Sequence, residues 1–217
     1  ALPDGVTNIG YGAFYNCSSL ESITIPDGVT SIGYGAFYGC SQLTSIVIPD
    51  GVTVIDYYTF YECTNLRSVK IPESVTQIGE VAFFSCKSLV SVKIPENVTS
   101  LGTGVFSNCT SLKTVNIPKN LTSIPNSAFT NCPIVSVEIP GKVTSIGPYA
   151  FYNCPKLESL SIPDGVTSIG NNAFSGCTVL SSITIPNTVV SIGNSAFARC
   201  SSLSSLTIPN SVTSIGQ

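Results

Sequence analysis

Nine cysteines are the most reactive side chains in this sequence of 217 residues, and their spacing decides what they can do. They stand at Cys17, Cys40, Cys63, Cys86, Cys109, Cys132, Cys154, Cys177 and Cys200, each 23 residues after the one before except Cys154, which follows by 22. Thiolates hold zinc or iron–sulfur clusters when they converge on one small space from several directions. A strict period points them all the same way instead. Cysteine is among the most frequently buried residues and packs as a small hydrophobe, so the column reads as a buried spine of free thiols. Disulfides and a metal site are the alternatives; bridges would leave one thiol over, because nine is odd.

The rest of the reactive inventory is thin. There is no His, which removes His-based triads, His general bases and every zinc site that needs imidazole. Ser is abundant, but no Gly-x-Ser-x-Gly nucleophile elbow with a partnered base and no Gly-rich phosphate loop occurs. These features point away from an enzyme, and no cofactor or metal is assigned. An acidic column of Asp4, Asp27, Asp50, Glu73 and Glu96 would stack carboxylates about 5 Å apart, where calcium could relieve their repulsion. Asp before Gly is also what a turn uses, and solvated turn residues are the reading adopted. Asn16, Asn97, Asn108 and Asn120 lie in Asn-x-Ser/Thr sequons, which the repeat itself generates.

Composition narrows the classes further. Hydrophobic residues make up 43% and charged residues 10%, enough for a core and too little charge for a disordered tail. The net charge of -3 lacks the basic footprint of a nucleic-acid binder. No apolar run approaches the roughly 18 residues needed to span a bilayer, so membrane insertion is not expected. With Ala1 first and no Met, the chain reads as a mature or excised fragment.

Residues placed this regularly need an element that repeats with them. A period between about 20 and 50 residues marks a solenoid, an array or a propeller. Residues 25–47 carry the cleanest copy: Ile-Pro-Asp-Gly-Val-Thr-Ser-Ile-Gly, two variable residues, Ala-Phe, two more, Cys, two more, Leu, then Ser and the alternating Ile positions. Eight units of 23 residues and one of 22 run from Leu2 to Thr207, and residues 208–217 open a tenth that is cut off, so residues 1–217 are read as a single solenoid domain. Leu43, Ile46 and Ile48 have the Leu-x-x-Ile-x-Ile spacing of a leucine-rich-repeat strand. Pro49 lacks an N–H and ends it; Gly51 can take positive φ and turns the chain. The predicted fold is a leucine-rich-repeat solenoid, a curved right-handed coil. One parallel sheet about 40 Å long lines its concave face, and short helical or turn segments at Ala-Phe-x-x-Cys line its convex face. The missing residue of the short unit is placed between Cys132 and Ile134, where Pro133 trims a surface turn and leaves the strand around Val137 in the sheet.

Two surfaces depart from the monotony. On the concave face most outward positions are Ser or Thr, but Lys70 and Lys93, with Arg67 and Lys113 at the strand edge, form a basic patch flanked by Glu138 and Glu158. An acidic protein loop or a sulfated glycan fits such a patch; scattered solubilising charge is the plainer reading. On the outer segment Tyr11 and Tyr15, Tyr34 and Tyr38, Tyr57 and Tyr61 recur at i, i+4, so on a helix each pair would share a face and the pairs would stack. Tyr58 joins them. Such a tyrosine strip either recognises a partner or covers the rim of the core with its hydroxyls in water.

The string Leu-x-x-Ile-x-Ile-Pro-x-x-Val-x-x-Ile-Gly-x-x-Ala-Phe-x-x-Cys resembles the BspA-like leucine-rich repeats of bacterial and protist surface proteins, over essentially the whole chain. The ladder Asn of ordinary leucine-rich repeats is absent; Val29, Val52, Val75, Val98, Leu121, Val143, Val166, Val189 and Val212 occupy that part of the turn, which must be satisfied by backbone, Thr and Ser. The resemblance implies an extracellular, cell-surface adhesion or protein-binding module without catalysis, its ligand a protein or glycan on the concave face or the tyrosine strip. A structural spacer that self-associates head to tail through the solenoid ends is the alternative.

Overall fold

The computed structural model describes all 217 residues, and none of them is helical. Each coil begins at a proline, which in six coils, at Pro49, Pro72, Pro95, Pro118, Pro163 and Pro186, follows a strand. The N–H of Val29 bonds the Pro26 carbonyl at 3.1 Å, and the same closure recurs at every turn from Val6 to Val212, with Leu121 standing in once. Hydroxyls complete these turns: Thr30 Oγ1 donates to the Thr7 carbonyl, Ser74 Oγ to Val52 and Thr188 Oγ1 to Val166. Ser and Thr therefore replace the missing ladder Asn, as the sequence requires.

After the turn comes a strand of two residues, one side chain out and an aliphatic one in. Asn8–Ile9 pairs with Ser31–Ile32; Val54–Ile55, Gln77–Ile78 and Ser100–Leu101 form a second ladder; Ser123–Ile124, Ser145–Ile146, Ser168–Ile169, Ser191–Ile192 and Ser214–Ile215 form a third. All pairs are parallel. The register advances by one 23-residue unit at each step, and by 22 from Ser123 to Ser145.

The Leu-x-x-Ile-x-Ile segments do not make one continuous sheet. Ser45–Val47 pairs with Ser68–Lys70, Ser91–Val92 with Thr114–Val115, and Ser159–Ser161 with Ser182–Thr184, each couple separate from the next. Residues 132–140 carry no strand, so the segment around Val137 leaves the ladder, against expectation. The same segments of the first and last full units, residues 21–26 and 203–209, carry no strand either. What is particular to the short unit is its turn, since other coils close a Leu-to-Cys bond, as in the Leu112 N–H to Cys109 bond of 2.9 Å, and Cys132-Pro133-Ile134 is one residue too short to repeat it. The N–H and C=O groups of residues 136–139 find no backbone partner.

Of the helical or turn segments expected at Ala-Phe-x-x-Cys, the structure has only turns, stacked into a ladder. Residues four apart take positive φ in every coil, at 12 and 16, 35 and 39, 58 and 62, and so on to 195 and 199. A right-handed helix cannot contain such residues. Alternate N–H groups then leave the coil: Gly12, Phe14 and Asn16 donate to Tyr34, Ala36 and Tyr38 of the next one at 3.0, 2.8 and 2.7 Å. Glycine at 12, 35, 39, 104 and 176 and asparagine at 16, 108, 131, 153 and 172 are the residue types that accept this geometry most readily.

Between these ladders lies one apolar cluster of 58 buried residues. Its axis is a stack of phenylalanines, Phe14, Phe37, Phe60, Phe83, Phe106, Phe129, Phe151, Phe174 and Phe197, with successive ring centroids 5.2–5.9 Å apart and nearly parallel planes. That is the offset stacking aromatic rings prefer, and here the solenoid imposes it.

Candidate functional site

Beside the phenylalanine stack runs the thiol column, and its geometry is that of packing. All nine cysteines are free; eight are buried and Cys17 is exposed. From Cys40 onward each Sγ donates to the carbonyl of the phenylalanine one coil back, at 3.1–3.2 Å. Burial pushes the thiols of Cys40 and Cys200 up to about 11 and that of Cys132 up to about 12, and raises Cys63, Cys86, Cys109 and Cys154 well above the ordinary range. Such thiols are poor nucleophiles and poor ligands at neutral pH. No three Cys, Asp or Glu side chains converge as a metal site would require.

The acidic turn residues are exposed, and one of them is engaged: Glu96 Oε2 accepts the backbone N–H of Lys119 at 3.0 Å. Three of the sequon asparagines are engaged as well, Asn120 Oδ1 accepting from Lys142 Nζ at 2.7 Å. Asn97 Nδ2 donates to the Glu73 carbonyl; Asn131 Nδ2 donates to Asn108 Oδ1, and Asn131 Oδ1 accepts from Asn153 Nδ2.

On the long-strand face the outward column reads Lys70, Lys93, Asn116, Glu138. Lys70 ends its strand and Lys93 occupies the same place one coil later, yet no backbone hydrogen bond joins those two coils there. Two ammonium groups in one column repel, which opposes close pairing. The opening between them is a cleft of about 350 Å³ with Asp50 and Glu73 on its wall. Arg67 and Lys113 are exposed but lie one column over and two coils apart, with Val90 between them, so they do not line the cleft. The basic patch is thus a lysine pair with two outlying charges.

A larger cleft, about 860 Å³, opens where the short unit withdraws its strand. Thr114, Asn116, Ser136, Glu138, Lys119 and Lys142 are among its lining residues. Asn116 holds the rim. Its amide accepts the Ile94 N–H at 2.8 Å and donates to the Ile94 carbonyl at 2.7 Å, so one side chain does for coils four and five what a strand peptide does elsewhere. The period alone marks the coil where this cleft falls, through its missing residue; the amide clamp has no signal in the spacing.

The tyrosines form ladders, though not as helical pairs. Tyr15, Tyr38, Tyr61 and Phe84 stack across four coils at 4.8, 4.6 and 4.7 Å, and Tyr11 stacks on Tyr34 at 5.2 Å. Tyr34 then meets Tyr58, not Tyr57, at 5.2 Å; Tyr58 has φ 57° and takes the turn position that glycine fills in the two preceding coils. Tyr57 remains exposed outside the stack. Rings stacked face to face show their edges and hydroxyls to water, so this strip offers hydrogen bonds more than aromatic faces.

The chain matches the family model of the BspA type leucine rich repeat region over residues 1–113, 31–158 and 144–217. It is similar to the crystal structure of a leucine-rich repeat protein from Bacteroides ovatus, with 27% identity, a TM-score of 0.72, and 97% of this chain and 78% of that one covered. A leucine rich cell surface protein from Faecalibacterium prausnitzii is 32% identical with a TM-score of 0.56, covering 99% of this chain and 70% of that one. The leucine rich repeat protein of T. pallidum is 30% identical with a TM-score of 0.57, covering 84% and 75%. No curated protein matches the chain.

Proposed function

Because the chain belongs to the BspA-type leucine-rich repeat family, we propose that it is a non-catalytic interaction module displayed at a cell surface, with its partner docking on the long-strand face around Lys70 and Lys93. The observation that carries this reading is the lysine pair, two like charges held in one column beside an open cleft, with Asp50 and Glu73 on the cleft wall. A binding surface keeps such a pair for an anionic partner, an acidic protein loop or a sulfated glycan. Arg67 and Lys113 extend the positive field without lining the cleft. Tyr11, Tyr15, Tyr34, Tyr38, Tyr57 and Tyr61 are a second contact strip on another side of the coil. Surface display also accords with the similar cell surface protein of F. prausnitzii.

The test is binding to extracellular matrix proteins and sulfated glycans across a salt series, with the wild type beside Lys70→Glu combined with Lys93→Glu. Weakened binding and a flattened salt dependence in the double variant are expected. Binding that survives unchanged moves the site to the tyrosine strip. No binding at all, together with light scattering that grows with concentration, replaces adhesion with a self-assembling spacer.

A further inference from the structure

Seven of the nine tyrosines fall within residues 11–61, on three successive coils. Their backbones are locked: Gly12, Asn16 and Gly39 donate to the carbonyls of Tyr34, Tyr38 and Tyr61 at 3.0, 2.7 and 2.8 Å. Their rings are consequently held in near-parallel contact, Tyr38 on Tyr61 at 4.6 Å and 12°, Tyr15 on Tyr38 at 4.8 Å and 22°, Tyr11 on Tyr34 at 5.2 Å and 11°. Planes this close and this nearly parallel bring one phenol ring into contact with the next. Tyr11 and Tyr15, at 79% and 55% exposure, open the stack to solvent.

We propose that this ladder is a site of oxidative cross-linking, in which a peroxidase fed by hydrogen peroxide couples tyrosines of successive coils into dityrosine. Each of two phenols gives up one electron and one proton. The two phenoxyl radicals join ortho carbon to ortho carbon, and the hydrogens on those carbons return to the oxygens to restore both phenols. Two phenols and one hydrogen peroxide become one dityrosine and two waters, with the peroxide reduced. The solenoid supplies the part free tyrosine lacks, a partner ring fixed in contact when the radical forms. A radical made at exposed Tyr15 can also pass along the stack, since hydrogen exchange between like phenols has no net driving force. Phe84, stacked 4.7 Å beyond Tyr61, has no phenol and ends the chain of reactive rings. Partial burial and then the Glu62 carboxylate raise the phenols of Tyr38 and Tyr61 above their ordinary value. Both keep their protons at neutral pH, and the proton each loses on oxidation ends in the water formed from the peroxide.

Coil two is the bridge, because coils one and three touch each other through no tyrosine pair. The experiment treats dilute protein with horseradish peroxidase and limiting peroxide, isolates the monomer and cleaves before aspartates. Asp4, Asp27, Asp50 and Asp56 place the tyrosines of the three coils in three separate peptides, and because the third, 56–163, also carries Tyr149 and Tyr152, the linked residues are assigned by fragment masses. The expected product is an intramolecular link, short by two hydrogens, joining the coil-two peptide to that of coil one or coil three. Tyr34→Phe with Tyr38→Phe keeps the stack, as Phe84 does, and should lose these links altogether. The proposal is overturned if dityrosine appears only between molecules, if links in the double variant join coils one and three, or if Tyr149 and Tyr152 couple as readily. Those two belong to one coil and meet edge-on at 65°.

Discussion

The thiol of Cys86 donates to the carbonyl oxygen of Phe60 at 3.2 Å, and that same oxygen accepts the N–H of Cys63 at 3.2 Å. One acceptor thus ties together the turn of its own coil and the core of the next. The arrangement requires the thiol to keep its proton in a place water does not reach, and that requirement can be measured.

In the native protein one thiol, Cys17, should label at once and the other eight only as the chain opens. Stability should also fall with alkaline pH. A thiol raised from 9.0 in the open chain to about 11 at Cys40 holds its proton more tightly when folded, so its contribution is complete below pH 9 and is lost as pH climbs towards 11. Denaturation midpoints measured from pH 7.5 to 11 should decline above 9. A flat profile, or rapid labelling of several thiols, contradicts the buried column.

Replacing Phe106 by Ala removes a fully buried ring from the middle of the stack, between Phe83 at 5.4 Å and Phe129 at 5.9 Å. The expected loss is about 3–5 kcal/mol. Because solenoid coils touch only their neighbours, hydrogen exchange should quicken first in the coils of Phe83 and Phe129; uniform quickening along the chain contradicts local coupling.

Asn116→Ala should release Ile94. The Ile94 side chain is fully buried, and its backbone N–H and C=O both depend on the Asn116 amide, so losing that amide costs about 1–3 kcal/mol. The Ile94 amide should exchange faster by a matching factor, while Ile32 should not change. Unaltered exchange at Ile94 would mean the clamp contributes nothing.

Gly102→Ala is expected to be severe. A methyl at that position would land on the backbone of Glu80 and Gly79 in the preceding coil, where no side chain can move aside. Overpacking of this kind costs about 1–3 kcal/mol and occasionally more. Gly141, with open space around its Cβ direction, is the matched control, and Gly141→Ala should leave the melting temperature nearly unchanged.

The parts of this molecule that the sequence announces are those that depend on the period alone. Phe60 and Cys63 fall in buried columns because their counterparts recur at one spacing, and a column has only one way to stack. The outer segment is different. Tyrosines at i and i+4 satisfy a helical turn as well as they satisfy a turn that leaves the right-handed region every fourth residue. Gly35 and Gly39, with Asn131 four coils on, carried the contrary signal: residues of those types suit positive φ better than a helix. The clefts were beyond reach for another reason. Whether Lys70 and Lys93 pair through their backbones depends on small differences in coil spacing, and the bonding of Asn116 depends on a rotamer; neither leaves a mark on the periodicity.

Coils that resemble one another this closely raise a question of address during folding. The strand at Val54–Ile55 pairs with Gln77–Ile78, yet Ser100–Leu101 presents nearly the same surface, so a chain still finding its partners can skip a coil and leave it looped out. Misassembly of that sort is a characteristic trap for repeat proteins. The irregular coils limit it. A tyrosine column confined mainly to the first three units, a lysine pair in the third and fourth, one amide clamp in the fifth and a short sixth unit make neighbours distinguishable. A version of this chain rebuilt from nine copies of its cleanest unit would be expected to gain core regularity and to refold more slowly, with more of its molecules caught one coil out of step.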